Sequence, residues 1–339
     1  MLVLGIDTSC DDTAAAVLRA PRDVLSNEIA TQYDLHAAFG GIVPEIASRA
    51  HAERVTLVVE KALEQAGVTL DDLDAVAVTH KPGLVGSLVV GVAAAKSVAL
   101  ARGIPLVGVD HIEAHVVAAM ADHEDLAPPF VALVASGGHT SLYAVRSEGE
   151  LACLGSTIDD AAGECFDKVA VLLGLEQPGG PAISRLALQG DAEAVRFPRY
   201  RAKDGSLSFS FSGLKTAVLY FLKGPGGKRD APDREDLGVS RADVAASFQR
   251  AVVDVLANRS LEAAQREGAH DLVVGGGVAA NQELRKTLAR RAPPGVRVHF
   301  PPPMLCVDNG AMVALRGAQL LAQGRRDDLG LDVSPTGRA

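Results

Sequence analysis

The sequence predicts the α/β class. Short apolar, β-compatible runs alternate with helical ones along the chain, the pattern of a sheet covered by helices. A strand, a polar turn and a second strand occur twice, with Asp7 and Ser136 at corresponding points 129 residues apart. Either the fold is duplicated, with related turns facing one cleft, or two unrelated hairpins share a pattern. The length of 339 residues exceeds one ordinary core and suggests about two domains.

Residues 1–7 form an apolar run ending in Asp7 and read as a buried strand. Residues 8–12 are a polar turn, and 13–18 are small and β-compatible. Residues 44–66 read as a helix: Pro44 suits a first turn, and Ile46, Ala50, Leu57, Val58 and Leu63 approximate an apolar stripe. A strand at 75–79 leads through a glycine-rich turn into a small-residue helix at 85–102. A strand at 106–109 and a helix at 111–122 follow. Ala127-Pro-Pro129 is the best boundary, giving a first lobe of 1–126, a second of 127–307 and a tail of 325–339. The second lobe opens with a strand at 130–135, a turn at 136–140 and a strand at 141–145. Helices are expected at 161–173, 181–188, 213–222 and 241–267. The strand at 272–274 ends in three glycines. A helix at 282–291, a strand at 296–300 and a last helix at 308–322 complete the chain. Alternating Ser and Phe at 208–212 suit a half-buried strand, residues 224–236 suit a surface loop, and the tail beyond Gly324 is expected to fray.

Hydrophobic residues at 48% and charged residues at 22% exclude disorder as the default. The net charge of −9 argues against a generic polyanion binder. The exception is residues 196–234, whose 9 basic and 3 acidic side chains lie among aromatics. Basic residues with interleaved aromatics suit single-stranded nucleic acid; core Phe under a solvated basic face is the plain alternative. Four scattered cysteines form no CxxC, which suits neither a disulfide scaffold nor a zinc ribbon and points to a reducing compartment. No targeting segment or membrane span is expected, so a soluble, cytoplasmic protein is.

His111 and His115 form the sharpest local signal. Their i, i+4 spacing puts both imidazoles on one helix face, as two ligands of one metal require; two surface histidines would look the same. A His-Glu-x-x-His protease needs its Glu beside the first His. Glu113 is two residues on, about 200° around the helix, and points away. Asp308 is the best third ligand, following Pro301-Pro-Pro303 and expected to N-cap the last helix. Gly137-Gly138, Gly179-Gly180 and Gly275-Gly-Gly277 are turns whose N–H groups can approach an anion or nucleoside. None is a P-loop or a Rossmann fingerprint. Asp7, Asp11 and Asp12 crowd one turn, where close carboxylates call for solvent or a cation.

Seven segments together resemble one family. They are Gly5-Ile-Asp-Thr-Ser-Cys-Asp-Asp-Thr13, His111-Ile-Glu-Ala-His115, Ser136-Gly-Gly-His-Thr140, Gln177-Pro-Gly-Gly-Pro181, Phe209-Ser-Phe-Ser-Gly-Leu-Lys215, Gly275-Gly-Gly-Val-Ala-Ala-Asn281 and Asp308-Asn-Gly310. They are similar to the motifs of the bacterial TsaD family, in order, as far as about Gly324. The resemblance implies a duplicated actin-like (ribonuclease-H-like, ASKHA) fold of two lobes around a nucleotide cleft. It implies transfer of threonylcarbamoyl from threonylcarbamoyl-AMP to N6 of adenosine 37 in the tRNA anticodon loop. It also implies one divalent ion, Fe2+ or Zn2+, on His111, His115 and Asp308, and a last helix packing back onto the first lobe. Substrate-binding positions match Val134, Ala135, Ser136, Gly137, Gly138, Asp167, Gly180 and Asn281, and ATP or AMP could occupy the same cleft. Asp11 and Asp12 match positions tied to activity, although Asp12 is commonly Glu in the family. Ser184 stands where relatives have Asp and is left out of the site. The implied partners are tRNA, TsaB (through the N-terminal lobe) and TsaE. An ATP-binding scaffold or kinase on the same fold, and least of all a metalloprotease, are the competing functions.

Overall fold

Two five-stranded sheets organise the chain. The computed structural model describes every residue except 37, 38, 40, 122, 124, 148, 230, 233–236 and 337–339. In the first sheet β1 (Leu2–Asp7), β2 (Asp12–Arg19) and β3 (Asp23–Thr31) form an antiparallel meander. After α1 (Tyr33–His36) and α2 (Pro44–Ala66), β4 (Ala75–Lys81) joins β1 in parallel. The chain then crosses through α3 (Val85–Arg102) to β5 (Leu106–Asp110), giving the order β3-β2-β1-β4-β5. The helix α4 (His111–Met120) follows at once.

The second sheet repeats this plan. Its meander is β6 (Phe130–Ala135), β7 (Thr140–Ser147) and β8 (Glu150–Ser156). Next come α5 (Ala162–Leu172), α6 (Gly179–Ala187), α7 (Ser212–Lys223) and α8 (Arg241–Glu267). Then β9 (Asp271–Gly275), α9 (Gln282–Arg291) and β10 (Arg297–His299) complete the order β8-β7-β6-β9-β10, with β9 and β10 parallel to β6. Strand for strand, β1 to β5 correspond to β6 to β10 in connection and direction, so the repeated hairpin belongs to a repeated fold. The last helix is α10 (Gly310–Ala322). Contacts divide the chain into Met1–Asp122 with Pro302–Ala339, and His123–Pro301. The breaks expected from sequence were 126/127 and 307/308.

In the first unit alternation sorts the strands between two faces. Leu4, Ile6, Val17, Val76 and Val78 meet α2 and α3, whereas Val3, Ala16, Leu18, Ala77 and Val107 meet α4 and α10. α10 is buried nearly all round, as a core helix must be. It lies so close to the sheet that a Cβ on Gly5 would come within 2.3 Å of the Gly310 carbonyl oxygen. One described helix, α3, is long and apolar enough to cross a membrane. Its Leu88, Val92, Ala95 and Ala99 are buried, and Val92, Ala95 and Ala99 belong to the α2–α3 core.

Several expectations are corrected. β3 and β8 were not anticipated; both are edge strands with mixed burial, stabilised by pairing with β2 and β7. Residues 208–212 are not a strand: Phe209 makes one bridge to Thr157, and α7 starts at Ser212. Leu57, expected on the buried stripe of α2, is exposed. α10 begins at Gly310 under an Asn309 cap, so Asp308 is not the capping residue. The tail does not fray at Gly324. The Asp327 carboxylate accepts from Gly108 N at 2.8 Å, Ser334 N donates to the His80 carbonyl, and Leu331 packs on the core. Residues 230 and 233–236 of the expected loop, and 337–339 of the tail, lie outside the described residues.

Candidate functional site

β5 runs directly into α4, so His111 is the first helical residue. Asp110 caps the helix, its carboxylate accepting from Ile112 N at 2.9 Å. The i, i+4 spacing then brings the His111 and His115 rings to 4.6 Å. Asp308, before α10, reaches both: its Oδ1 lies 3.1 Å from His115 Nε2 and 3.6 Å from His111 Nε2. One donor atom from each of the three lies within 4.8 Å of the others. Asn309 holds this loop, accepting from Met312 N at 2.9 Å and donating from Nδ2 to the Val307 carbonyl at 2.7 Å.

The shell behind His111 was not foreseen. Ser9 Oγ donates to Asp7 Oδ2 at 3.0 Å and lies 3.2 Å from His111 Nδ1. With its proton given to Asp7, the hydroxyl accepts from Nδ1–H, so Nε2 is the nitrogen turned to Asp308 and the one a metal would take. Burial opposes a charge on His111, yet Asp308 and Asp7 outweigh it and raise its pKa to about 9.

Two carboxylates of the first turn are held above their ordinary range. Burial first, then Asp308, Asp11 and Asp7, push Asp12 up to about 8. Asp11 is raised too, by burial and by Asp308. The turn is pinned by His51, whose Nδ1 lies 2.8 Å from Thr13 Oγ1 and whose Nε2 lies 3.0 Å from the Cys10 carbonyl. Buried Asp7 Oδ1, Asp12 Oδ1 and His115 Nδ1 have no hydrogen-bond partner among the described residues. Two imidazoles and a carboxylate amid surplus buried negative charge fit a divalent transition metal such as Zn2+ or Fe2+. Glu113 faces elsewhere, paired with Arg316 at 2.8 Å, so it cannot act as the base of a zinc protease.

The expected substrate positions all lie in the second unit. Val134 and Ala135 are buried at the end of β6. Gly137 and Gly138 are exposed, with open space where a Cβ would stand. Ser136 Oγ accepts from His139 N, and Gly163 N donates to the Ser136 carbonyl, seating the turn on the start of α5. Gly276 has φ +85°, and a Cβ there would come within 2.4 Å of the Ala135 carbonyl oxygen. The turns at 136–138 and 275–281 therefore abut. Asn281 caps α9 through Oδ1, while its Nδ2 donates to Ser184 Oγ at 3.1 Å and Gln249 Oε1 at 2.9 Å. Ser184 lies on α6, the helix that carries Gly180, and the Asp167 carboxylate accepts from Gly179 N at 2.7 Å. One hydrogen-bonded network thus draws in Ser184, which was set aside, and Gln249, which was missed. The signal for Gln249 was a polar residue on a buried face of α8.

The basic stretch is partly absorbed by the fold. Lys215 pairs with Asp160 at 2.7 Å, as does Lys168. Asp159 accepts from Phe211 N and Ser212 N at the start of α7. Phe209 and Phe211 are fully buried core residues. On the first unit, α2 and α3 flank an apolar groove of about 560 Å³ lined by Val55, Val59, Leu63, Val89, Val90 and Ala94.

Solved structures share this fold. The HypF of T. kodakarensis matches 97% of this chain and 49% of its own, with TM-score 0.61 and 16% identity. Component A of the (R)-2-hydroxyglutaryl-CoA dehydratase of Acidaminococcus fermentans matches 95% and 99%, with TM-score 0.57 and 16% identity. The fold is the duplicated actin-like one. Sequence similarity reaches further. The tRNA N6-adenosine threonylcarbamoyltransferase of Geobacter metallireducens is 53% identical over 98% of this chain and 95% of its own length. That of Clostridium perfringens is 48% identical over 98% and 97%. The family description "TsaD: tRNA N6-adenosine threonylcarbamoyltransferase" matches residues 23–315. With such identity over nearly the whole of both chains, the chain belongs to the TsaD family.

Proposed function

We propose that this protein transfers threonylcarbamoyl from threonylcarbamoyl-AMP to N6 of adenosine 37 in tRNA, with a divalent ion held by His111, His115 and Asp308. The His–His–Asp cluster behind an acidic turn carries this reading, in a chain about half identical to named transferases. The ion, when bound, would polarise or orient the carbamoyl group. The adenine amine is a poor nucleophile, its lone pair being delocalised into the ring. Positioning and electrostatics must therefore supply most of the rate. The turns at 136–138 and 275–281 would hold phosphate and adenosine, and Asp167, Gly180 and Asn281 would bind the substrate with them. As the N6–carbamoyl bond forms and the carbamoyl–phosphate bond breaks, AMP leaves and N6 loses a proton. Asp11 or Asp12, the buried carboxylates of the turn, would accept it in their ionised form.

Lys215 is engaged with Asp160, so the exposed Arg201 is the better tRNA phosphate contact of the two. The groove between α2 and α3 suits a helical partner, which supports TsaB there; TsaE completes the bacterial set. A cytoplasmic location follows from a tRNA substrate. The test is incorporation of labelled threonine into unmodified tRNA with the synthase and partners supplied. Label in tRNA that requires this chain supports the proposal; equal label without it refutes it.

A further inference from the structure

We propose that the Glu113–Arg316 ion pair is a positioning pair for the metal centre, locking α4 against α10 so that His111 and His115 meet Asp308. The inference rests on reading those three residues as metal ligands. Glu113 stands midway between the two histidines but on the opposite side of α4. Its Oε2 accepts from Arg316 Nε at 2.9 Å and pairs with Nη2 at 2.8 Å. Arg316 is 3% exposed, and its Nη1 donates to Gln319 Oε1 at 3.1 Å, which fixes the plane of the fork. Asp308 and Arg316 belong to one continuous segment, so that segment holds α4 from both sides.

The rest of this packing is apolar. Ala114 and Ala118 share a core with Ala311, Ala314 and Ala318. Small apolar side chains attract without fixing register, whereas a buried fork is directional. α10 is itself seated on the sheet, where a Cβ on Gly310 would fall 2.5 Å from the backbone of Ala15. With α10 so placed, the pair sets the rotation of α4 about its axis, and ligand distances tolerate only about 0.2 Å. Glu113, on the wrong face to be a base, instead orients the ligands.

Glu113→Gln and Arg316→Lys test this in the full chain. Each retains a polar side chain but loses the fork or its charge. Zn2+ affinity is measured by competition with a chromogenic chelator, the Co2+ form by its visible bands, and the apo protein by urea unfolding. The expected result is one ion per wild-type chain and affinity at least about tenfold weaker in both variants, with altered Co2+ bands. The double variant should bind no worse than the weaker single one. A folded variant that loses stability but keeps Zn2+ affinity within about twofold overturns the proposal, because global stability does not set the intrinsic affinity of the folded form. Should Glu113→Gln fail to fold, Arg316→Lys carries the same comparison. A wild-type chain that binds no ion removes the ligand reading itself, a distinguishable failure.

Discussion

Replacing Asn309 with alanine should strike the site without touching a ligand. The side chain is fully buried and works at both ends. Its Oδ1 caps α10 by accepting from Met312 N at 2.9 Å, and its Nδ2 donates to the Val307 carbonyl at 2.7 Å, spanning Asp308. Losing the cap costs about 1 kcal/mol. Losing the Nδ2–Val307 hydrogen bond adds about 1 kcal/mol. The sum is about 2 kcal/mol, which lowers the melting point of a unit this size by about 4–8 °C. Asn309→Ser keeps an acceptor for Met312 N and loses only the Nδ2 bond, so it should cost about 1 kcal/mol. Urea unfolding of the apo chain, with amide exchange of α10, separates the two variants. Alanine within about 0.5 kcal/mol of wild type, or serine as damaging as alanine, would refute the assignment of both bonds.

Other consequences follow from the charges and surfaces. Asp12 is raised in the fold, so its penalty is absent below its unfolded pKa and grows as pH rises from about 4 towards 8. Asp12→Asn should therefore melt above wild type at pH 7.5 without metal, converge with it near pH 4, and lose transfer activity; lower stability at pH 7.5 would contradict this. Asp254 is depressed because Arg291 and Arg199 outweigh its desolvation, and Arg297 and His299 do the same for Asp271. Their stabilisation is complete above the ordinary value of 3.8 and lost as pH falls through the lower folded values. Asp254→Asn should weaken the second unit at pH 7 by about 1–3 kcal/mol and flatten its acid limb. Val89→Asp in the groove should abolish co-purification with TsaB while leaving metal affinity unchanged; retained pairing would remove the groove from the interface.

Local signals explain which parts were legible. α2, α3 and α8 end where expected because Gly67, Gly103 and Gly268 take the left-handed conformation that stops a helix. The site histidines were legible because their spacing is a property of one helix. What failed depends on distant residues. Asp308 and Asn309 are both good caps by type, and only the packing of α10 assigns the cap to Asn309 and leaves Asp308 for the histidines. A local charge count left the basic residues of 196–234 unpaired, but Asp160, 55 residues before Lys215, pairs with it. The edge strands β3 and β8 lack a clean alternation and exist because a neighbour offers hydrogen bonds. Glu113 was rightly turned away from the histidines, yet its partner lies 203 residues on.

The most direct test of transfer by this chain is a single-turnover reaction with preformed threonylcarbamoyl-AMP, unmodified tRNA and the partner proteins. Digested nucleosides are read by mass spectrometry, comparing wild type with His111→Ala. The account predicts threonylcarbamoyladenosine at position 37 with stoichiometric AMP for wild type, and neither for the variant. Equal product from His111→Ala, or product without this chain, would contradict it.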